Sequence, residues 1–258
     1  EPDDMSVWDF MDLYDQPTGT EPWVIHGLIR KRHKMMVVRT EGGSKSWLLR
    51  FIALCASYGI QPWRHTQIRP VRTMLVDAEN PEDAMAESFK AILTKMTRER
   101  PDVARDDIES RVWHRAAGIN LRSKLDQTQF ENLIRVRRPE LVCLGPMYCV
   151  FETKPGEPWE TPARQVQAFL KSMMVRYDFA LMIEDHAPQD RSGGMRPYGS
   201  SFWRRWLDMG VALEPLNDDR TSYELKHWRG SRVTTDWPKY VHRSDKWPFV
   251  GGWEGETI

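Results

Sequence analysis

Four short apolar runs limit what this chain can fold into: Met35–Val38, Thr73–Asp77, Leu141–Leu144 and Phe179–Ile183. A strand with one wet face alternates apolar and polar residues. These runs do not alternate, so each is expected to be buried on both faces, as in a parallel sheet sandwiched between helices. The intervening segments carry helix signals. Ser46–Leu54 continues as a helix ended by Gly59. Asn80-Pro81 supplies an N-cap followed by proline at the first helical position, opening a helix to about Met96. Asp126 with Gln129 resembles a capping box, at the head of a helix ending in Arg135-Val136-Arg137-Arg138. Thr161-Pro162 starts another helix. Strand and helix therefore alternate, and the fold class is α/β. The last third differs: Val211-Ala212-Leu213 and Tyr223-Glu224-Leu225 are short strands with no helix between them, which predicts an antiparallel extension near the C-terminus.

At 258 residues the chain is long enough for one large domain. Residues 1–20, acidic and aromatic and followed by Pro22, are expected to form an arm leading into a domain over 21–258. Lys154–Pro162 and Gln189–Gly199 are expected to be loops. Formal net charge is zero, which excludes a global basic field and confines any nucleic-acid contact to local patches or to an oligomer. Cys55, Cys143 and Cys149 lie in apolar segments without paired metal-ligand spacing; they read as buried small hydrophobes in a reducing compartment. The acidic N-terminus lacks a basic leader region, and no window approaches ~18 uninterrupted apolar residues. The expectation is a cytoplasmic protein with no membrane partner.

Between the first strand and its helix lies Glu41-Gly42-Gly43-Ser44-Lys45-Ser46. A phosphate-binding loop needs small residues so that backbone N–H groups face the phosphates, a lysine for the β/γ oxygens and a hydroxyl for magnesium. Lys45 and Ser46 meet the last two needs. The strict G-x-x-x-x-G-K-[ST] pattern is not met, because Arg39 and Ser44 stand where its glycines fall. The ligand implied is ATP with Mg2+, held by residues 41–46 and Trp47, with Ser46 on the metal. The plain alternative for so loose a match is an ordinary polar loop.

Glu21-Pro22-Trp23 and Gly27-Leu28 before the strand, then the loop, then Asp77-Ala78-Glu79-Asn80-Pro81, resemble RecA-like P-loop ATPases of plasmid and phage replication. RepA-type and DnaB-like hexameric helicases and their phage-encoded relatives are the nearest group. Glu184-Asp185-His186-Ala187, Arg196–Ser201 and Lys226-His227-Trp228-Arg229-Gly230 resemble later motifs of that group in the same order. The resemblance covers roughly residues 21 to 240 and implies a RecA-like core. Glu79 is implied as the carboxylate that polarises the attacking water, His186 as the γ-phosphate sensor, and Arg196, Lys226 and Arg229 as charges reaching a neighbouring subunit's nucleotide. Trp23 is placed near the adenine. The alternatives are a helix-start charge for Glu79, a solvated basic face for the late motif and a core role for Trp23.

One departure matters. The magnesium-orienting aspartate of the group falls on Gly145, followed by Pro146. Either Asp77 or Asp185 substitutes from adjacent strand ends, or the metal relies on Ser46 and water. The leading expectation is an ATP-dependent DNA helicase or motor, a homo-oligomeric ring (a hexamer) acting on single-stranded nucleic acid, DNA before RNA. Trp203-Arg204-Arg205-Trp206 and His227-Trp228-Arg229 suit phosphate contact with base stacking, although such pairs also pack along a core edge. The rival is a non-motor ATP-binding DNA-binding protein, a recombination mediator or replication loader, with weak or absent hydrolysis. A small-molecule kinase would leave the Lys226–Arg229 motif unexplained.

Overall fold

The computed structural model describes residues 22–39, 44–102, 110–114, 118–187, 201–230 and 235–253, together with Met11. The expected arm (Met11 apart), Glu41, Gly42, Gly43, Arg196 and the Gln189–Gly199 loop lie outside the described residues.

The chain enters through a small antiparallel hairpin of β1 (Trp23–Ile25) and β2 (Ile29–Arg30). Next come β3 (Lys34–Arg39), α1 (Lys45–Ser57), β4 (Thr73–Asp77) and α2 (Glu82–Glu99). β5 (Ser110–His114), α3 (Lys124–Arg137), β6 (Leu141–Gly145), α4 (Glu160–Tyr177) and β7 (Ala180–His186) follow. The chain closes with α5 (Ser201–Trp206), β8 (Met209–Pro215), β9 (Ser222–Arg229), β10 (Tyr240–His242) and β11 (Val250–Gly252).

β3 to β11 form one nine-stranded sheet in the order β11-β10-β9-β8-β3-β7-β6-β4-β5. From β8 to β5 every pairing is parallel, while β9, β10 and β11 add antiparallel strands beyond β8. The parallel core and the antiparallel extension both match the pattern of the apolar runs. Successive side chains of a strand point to opposite faces, so one run feeds two cores. Met35, Val37, Cys143 and Met182 pack with Leu48, Phe51 and Ile52 of α1 and Ile92 of α2. Met36, Val38, Leu144 and Ile183 pack on the other face with Phe130 of α3 and Val166 and Leu170 of α4. Each buried aliphatic of this kind contributes about 1.5–3 kcal/mol, and the two-sided burial explains why polar residues are missing from the runs.

β3 lies between β7 and β8, and the chain winds outward from it in both directions. It passes to β4 on one side and, later, from β7 across to β8 on the other. That reversal opens a crevice at the carboxyl edge of β3, where α/β sheets bind ligands. The helix α1 that follows β3 starts at this crevice.

Some local expectations shift. Pro81, with extended backbone, caps α2, and Asn80 turns its amide back to both Asp77 oxygens at 3.0 Å. Ser123 occupies the cap position of α3, whose third residue, Asp126, accepts the Asn120 N–H at 2.8 Å. Asp126 therefore caps from inside the first turn, not from in front of it. β7 runs three residues past Ile183 to His186, because Val37, Val38 and Arg39 of β3 continue to pair with Glu184, Asp185 and His186. The hairpin β1–β2 and strands β5, β10 and β11 carry no strong apolar run, and the sequence pattern does not mark them. They lie at sheet margins, where a strand needs fewer apolar residues. Cys55 and Cys143 are buried, and burial raises both thiols, as their apolar surroundings imply; Cys149 is half-buried.

Candidate functional site

Lys45 and Ser46 occupy the first turn of α1, whose unbonded N–H groups and dipole favour an anion. Ser44 is fixed from across the sheet. Its hydroxyl lies 2.9 Å from that of Tyr223 in β9, which also accepts from Arg39 at 3.0 Å, with the Arg39 guanidinium 4.5 Å above the tyrosine ring. These contacts tie the end of β3 and the start of α1 to one rigid strand. Sequence reasoning does not find Tyr223, which sits in a run distinguished only by its strand character.

The Lys45 side chain is buried, and burial lowers its pKa, opposed by Glu184, Glu79 and Asp185 in that order. An ammonium poorly hydrated and facing carboxylates is arranged to receive a polyanion. Ser46 donates to both Glu184 oxygens, at 2.9 and 2.7 Å. Glu184 is 4% exposed, and burial raises its pKa to about 7 against the opposing charge of Lys45. Asp185, on the opposite face of β7, is also buried, and that burial raises it to about 8 although it accepts the His186 N–H.

Glu79 follows β4 on the same edge of the sheet and is exposed. The Tyr148 hydroxyl donates to its carboxylate, and the Tyr148 ring lies 5.2 Å from that of His186. Burial, then the bond to Glu79, pushes the Tyr148 phenol up, so it stays a donor. Lys45, Ser46, Glu79 and His186 thus converge on one crevice, as their assigned roles require. Tyr148 joins them from the short 3-10 turn after β6, a position with no sequence signal.

Asp77, one of the two residues expected to replace the missing aspartate, is engaged elsewhere. Its Oδ1 accepts the N–H groups of Glu79 and Asn80 at 3.1 and 3.0 Å, and its Oδ2 takes Arg50 in a buried ion pair. Burial would raise this carboxyl, but the Asn80 and Arg50 bonds together hold it below its ordinary value.

Other assigned residues fall outside the crevice. Trp23 lines a cavity with Lys34, Met35, Asp208 and Met209, the residues that begin β3 and β8, and Arg30 lies 4.4 Å over its ring. That is the amino edge of the parallel strands, opposite the phosphate loop, so Trp23 is not near an adenine held by its own subunit. Trp47 packs against the core with Arg243 5.2 Å over its ring. Lys226 is half-exposed and ion-paired with Glu214 and Glu224. Arg229 donates to the carbonyls of Leu207 and Arg205. Trp203 is buried, and a Cβ on Gly210 would meet the Trp228 ring at 2.3 Å. The tryptophans of the two basic-aromatic motifs therefore pack into the fold and offer no free stacking face; Trp206 is partly buried beside them.

A parallel sheet with a lysine and a serine at the helix start after its central strand, facing carboxylates on neighbouring strands, defines a P-loop ATPase of the RecA-like kind. A match to the AAA domain family spans residues 2–192, and the chain belongs to that family. Among solved structures, the chain is similar to a protein's isolated ATPase domain, at 13% identity and a TM-score of 0.55. The match covers 85% of this chain and 84% of that one. No curated protein matches the sequence. Among the described residues no helix is long and apolar enough to cross a membrane.

Proposed function

We propose that the chain is an ATP-dependent motor acting on single-stranded nucleic acid, a DNA helicase of the phage or plasmid replication type. The observation that carries this reading is the convergence of Lys45, Ser46, Glu79 and His186 on the crevice beside β3. Lys45 and the α1 N-terminus hold the β/γ-phosphates of ATP. Ser46 supplies the hydroxyl for Mg2+, whose chemistry is to neutralise charge on the phosphoryl oxygens. Glu79 orients and polarises the attacking water, a role that suits an exposed carboxylate with a hydrogen-bond partner. His186 reports on the γ-phosphate along β7.

Assembly into a homo-oligomeric ring, with hydrolysis at subunit boundaries, follows from the late basic residues. In this reading Arg196, Lys226 and Arg229 supply positive charge to a neighbour's nucleotide. Lys226 is the better placed of the two described, because a half-exposed ion pair exchanges partners at little cost. A neutral chain that binds nucleic acid also suits a ring with a basic lumen.

ATP turnover measured with and without single-stranded DNA, beside a strand-displacement assay, tests the reading. Turnover stimulated by DNA and coupled to unwinding is expected. DNA-dependent ATP binding without turnover or unwinding would favour the non-motor mediator or loader.

A further inference from the structure

The group to which this chain is similar places a magnesium-orienting carboxylate at the end of the strand that here is β6, and Gly145 stands there. We infer that Glu184, on the neighbouring strand β7, has taken over that carboxylate role toward the nucleotide-bound magnesium, and that Gly145 provides the space that admits it. The inference rests on the reading of the crevice as an ATP site.

Three observations carry it. First, β6 and β7 are parallel neighbours, with Cys143 beside Met182 and Leu144 beside Ile183. One step further sets Gly145 beside Glu184, and alternation puts both on the α1 face. Second, the two positions compete for one space. A Cβ on Gly145 would lie 2.4 Å from the Glu184 Cγ and 2.9 Å from its carbonyl oxygen. An aspartate at 145 and the Glu184 side chain as it stands are mutually exclusive, so the glycine is what a carboxylate arriving from β7 requires. Third, the Glu184 carboxylate is held at the residue that would ligate the metal, accepting from Ser46 through both oxygens.

The surroundings fit the ion. Ser46, Asp77, Gly145 and Glu184 border a cleft of about 20 Å³, room for roughly one water. Among the described residues no group of three or more histidine, cysteine or acidic side chains could hold a metal. That suits Mg2+, which keeps several waters and takes one or two carboxylates plus substrate phosphates. The rival carboxylates are poorly placed: Asp77 is closed by Arg50 and Asn80, and Asp185 points to the far face of the sheet.

The test measures ATP affinity of the full chain in EDTA and across a magnesium titration, with Mn2+ binding to the ATP complex followed by electron paramagnetic resonance. Glu184→Gln keeps the volume and removes a buried charge, so the fold is retained. It should bind ATP in EDTA within about twofold of wild type, yet hold Mn2+ roughly 10- to 100-fold more weakly, the usual cost of losing a partner of a metal's ligand shell. Glu184→Asp, which keeps the charge but withdraws it by one methylene, should lose an intermediate amount. Asp185→Asn should leave metal affinity within about twofold. Unchanged Mn2+ affinity in both Glu184 variants, or a loss on Asp185→Asn instead, overturns the inference while leaving the ATP reading intact. No ATP binding by the wild-type chain with or without metal overturns both.

Discussion

Lys45 is a buried ammonium whose neighbours are carboxylates, and its charge is of most use when a polyphosphate lies against it. Lys45→Ala should weaken ATP binding by roughly tenfold or more, since charge-assisted hydrogen bonds to phosphate are among the strongest polar contacts. Equilibrium binding to a folded Lys45→Ala protein, with affinity unchanged, would remove the nucleotide reading. Glu79 is a different case, because its carboxylate is exposed and takes its hydrogen bond from Tyr148. Glu79→Gln keeps the shape and loses the basicity, so it should bind ATP normally and turn it over about 10²- to 10⁴-fold more slowly. A single-turnover rate equal to wild type would reduce Glu79 to a charge at the start of α2.

At the level of elements, the Arg50–Asp77 pair bolts α1 to the end of β4. Both side chains are under 10% exposed, at 6% and 7%, and Arg50 also donates to Ser88 of α2 at 2.9 Å. Arg50→Ala strands a buried carboxylate and should cost about 3–5 kcal/mol in urea unfolding; a loss below about 1 kcal/mol would show that water reaches Asp77. The pH dependence follows from the same bonds. The folded-state pKa of Asp77 is depressed, so its contribution is complete above the ordinary carboxylate range and is lost as pH falls through the folded value. Wild type should therefore lose stability more steeply than Asp77→Asn on acidification below about pH 4. Parallel melting curves of the two proteins over that range would refute this assignment.

Shared sites make activity a property of the assembly. If Lys226 completes a neighbour's site, turnover per subunit must rise with protein concentration, and Lys226→Ala should keep ATP binding while losing hydrolysis. Mixing it with Lys45→Ala subunits should restore part of the rate, because some interfaces again pair an intact loop with an intact lysine. A chain that stays monomeric with ATP and DNA, and hydrolyses at a rate independent of concentration, would end the ring reading. Arg229→Ala should behave differently. Its guanidinium bonds the carbonyls at the end of α5, so its removal should lower the melting temperature before it affects any partner.

Much of this protein is legible along the chain because its causes are local. Uninterrupted apolar runs force strands buried on both faces, and the Gly-Gly-Ser-Lys-Ser loop between the first of them and a helix marks the crevice. Glu79 and His186 are readable in the same way, each just past or at the end of a strand. What neighbouring strands do to one another is not. Gly145 reads as a missing carboxylate because the group's aspartate belongs on its own strand. Only the pairing of β6 with β7 sets Glu184 into the space a Cβ at 145 would fill. Trp23 lies close in sequence to the loop but at the opposite edge of the sheet, since β3 runs the full depth of the sheet between them. Tyr223 steadies Ser44 across 179 residues of chain. Local patterning sets which segments become strands and helices; which side chains meet at the crevice depends on strand order and register, which no single segment encodes.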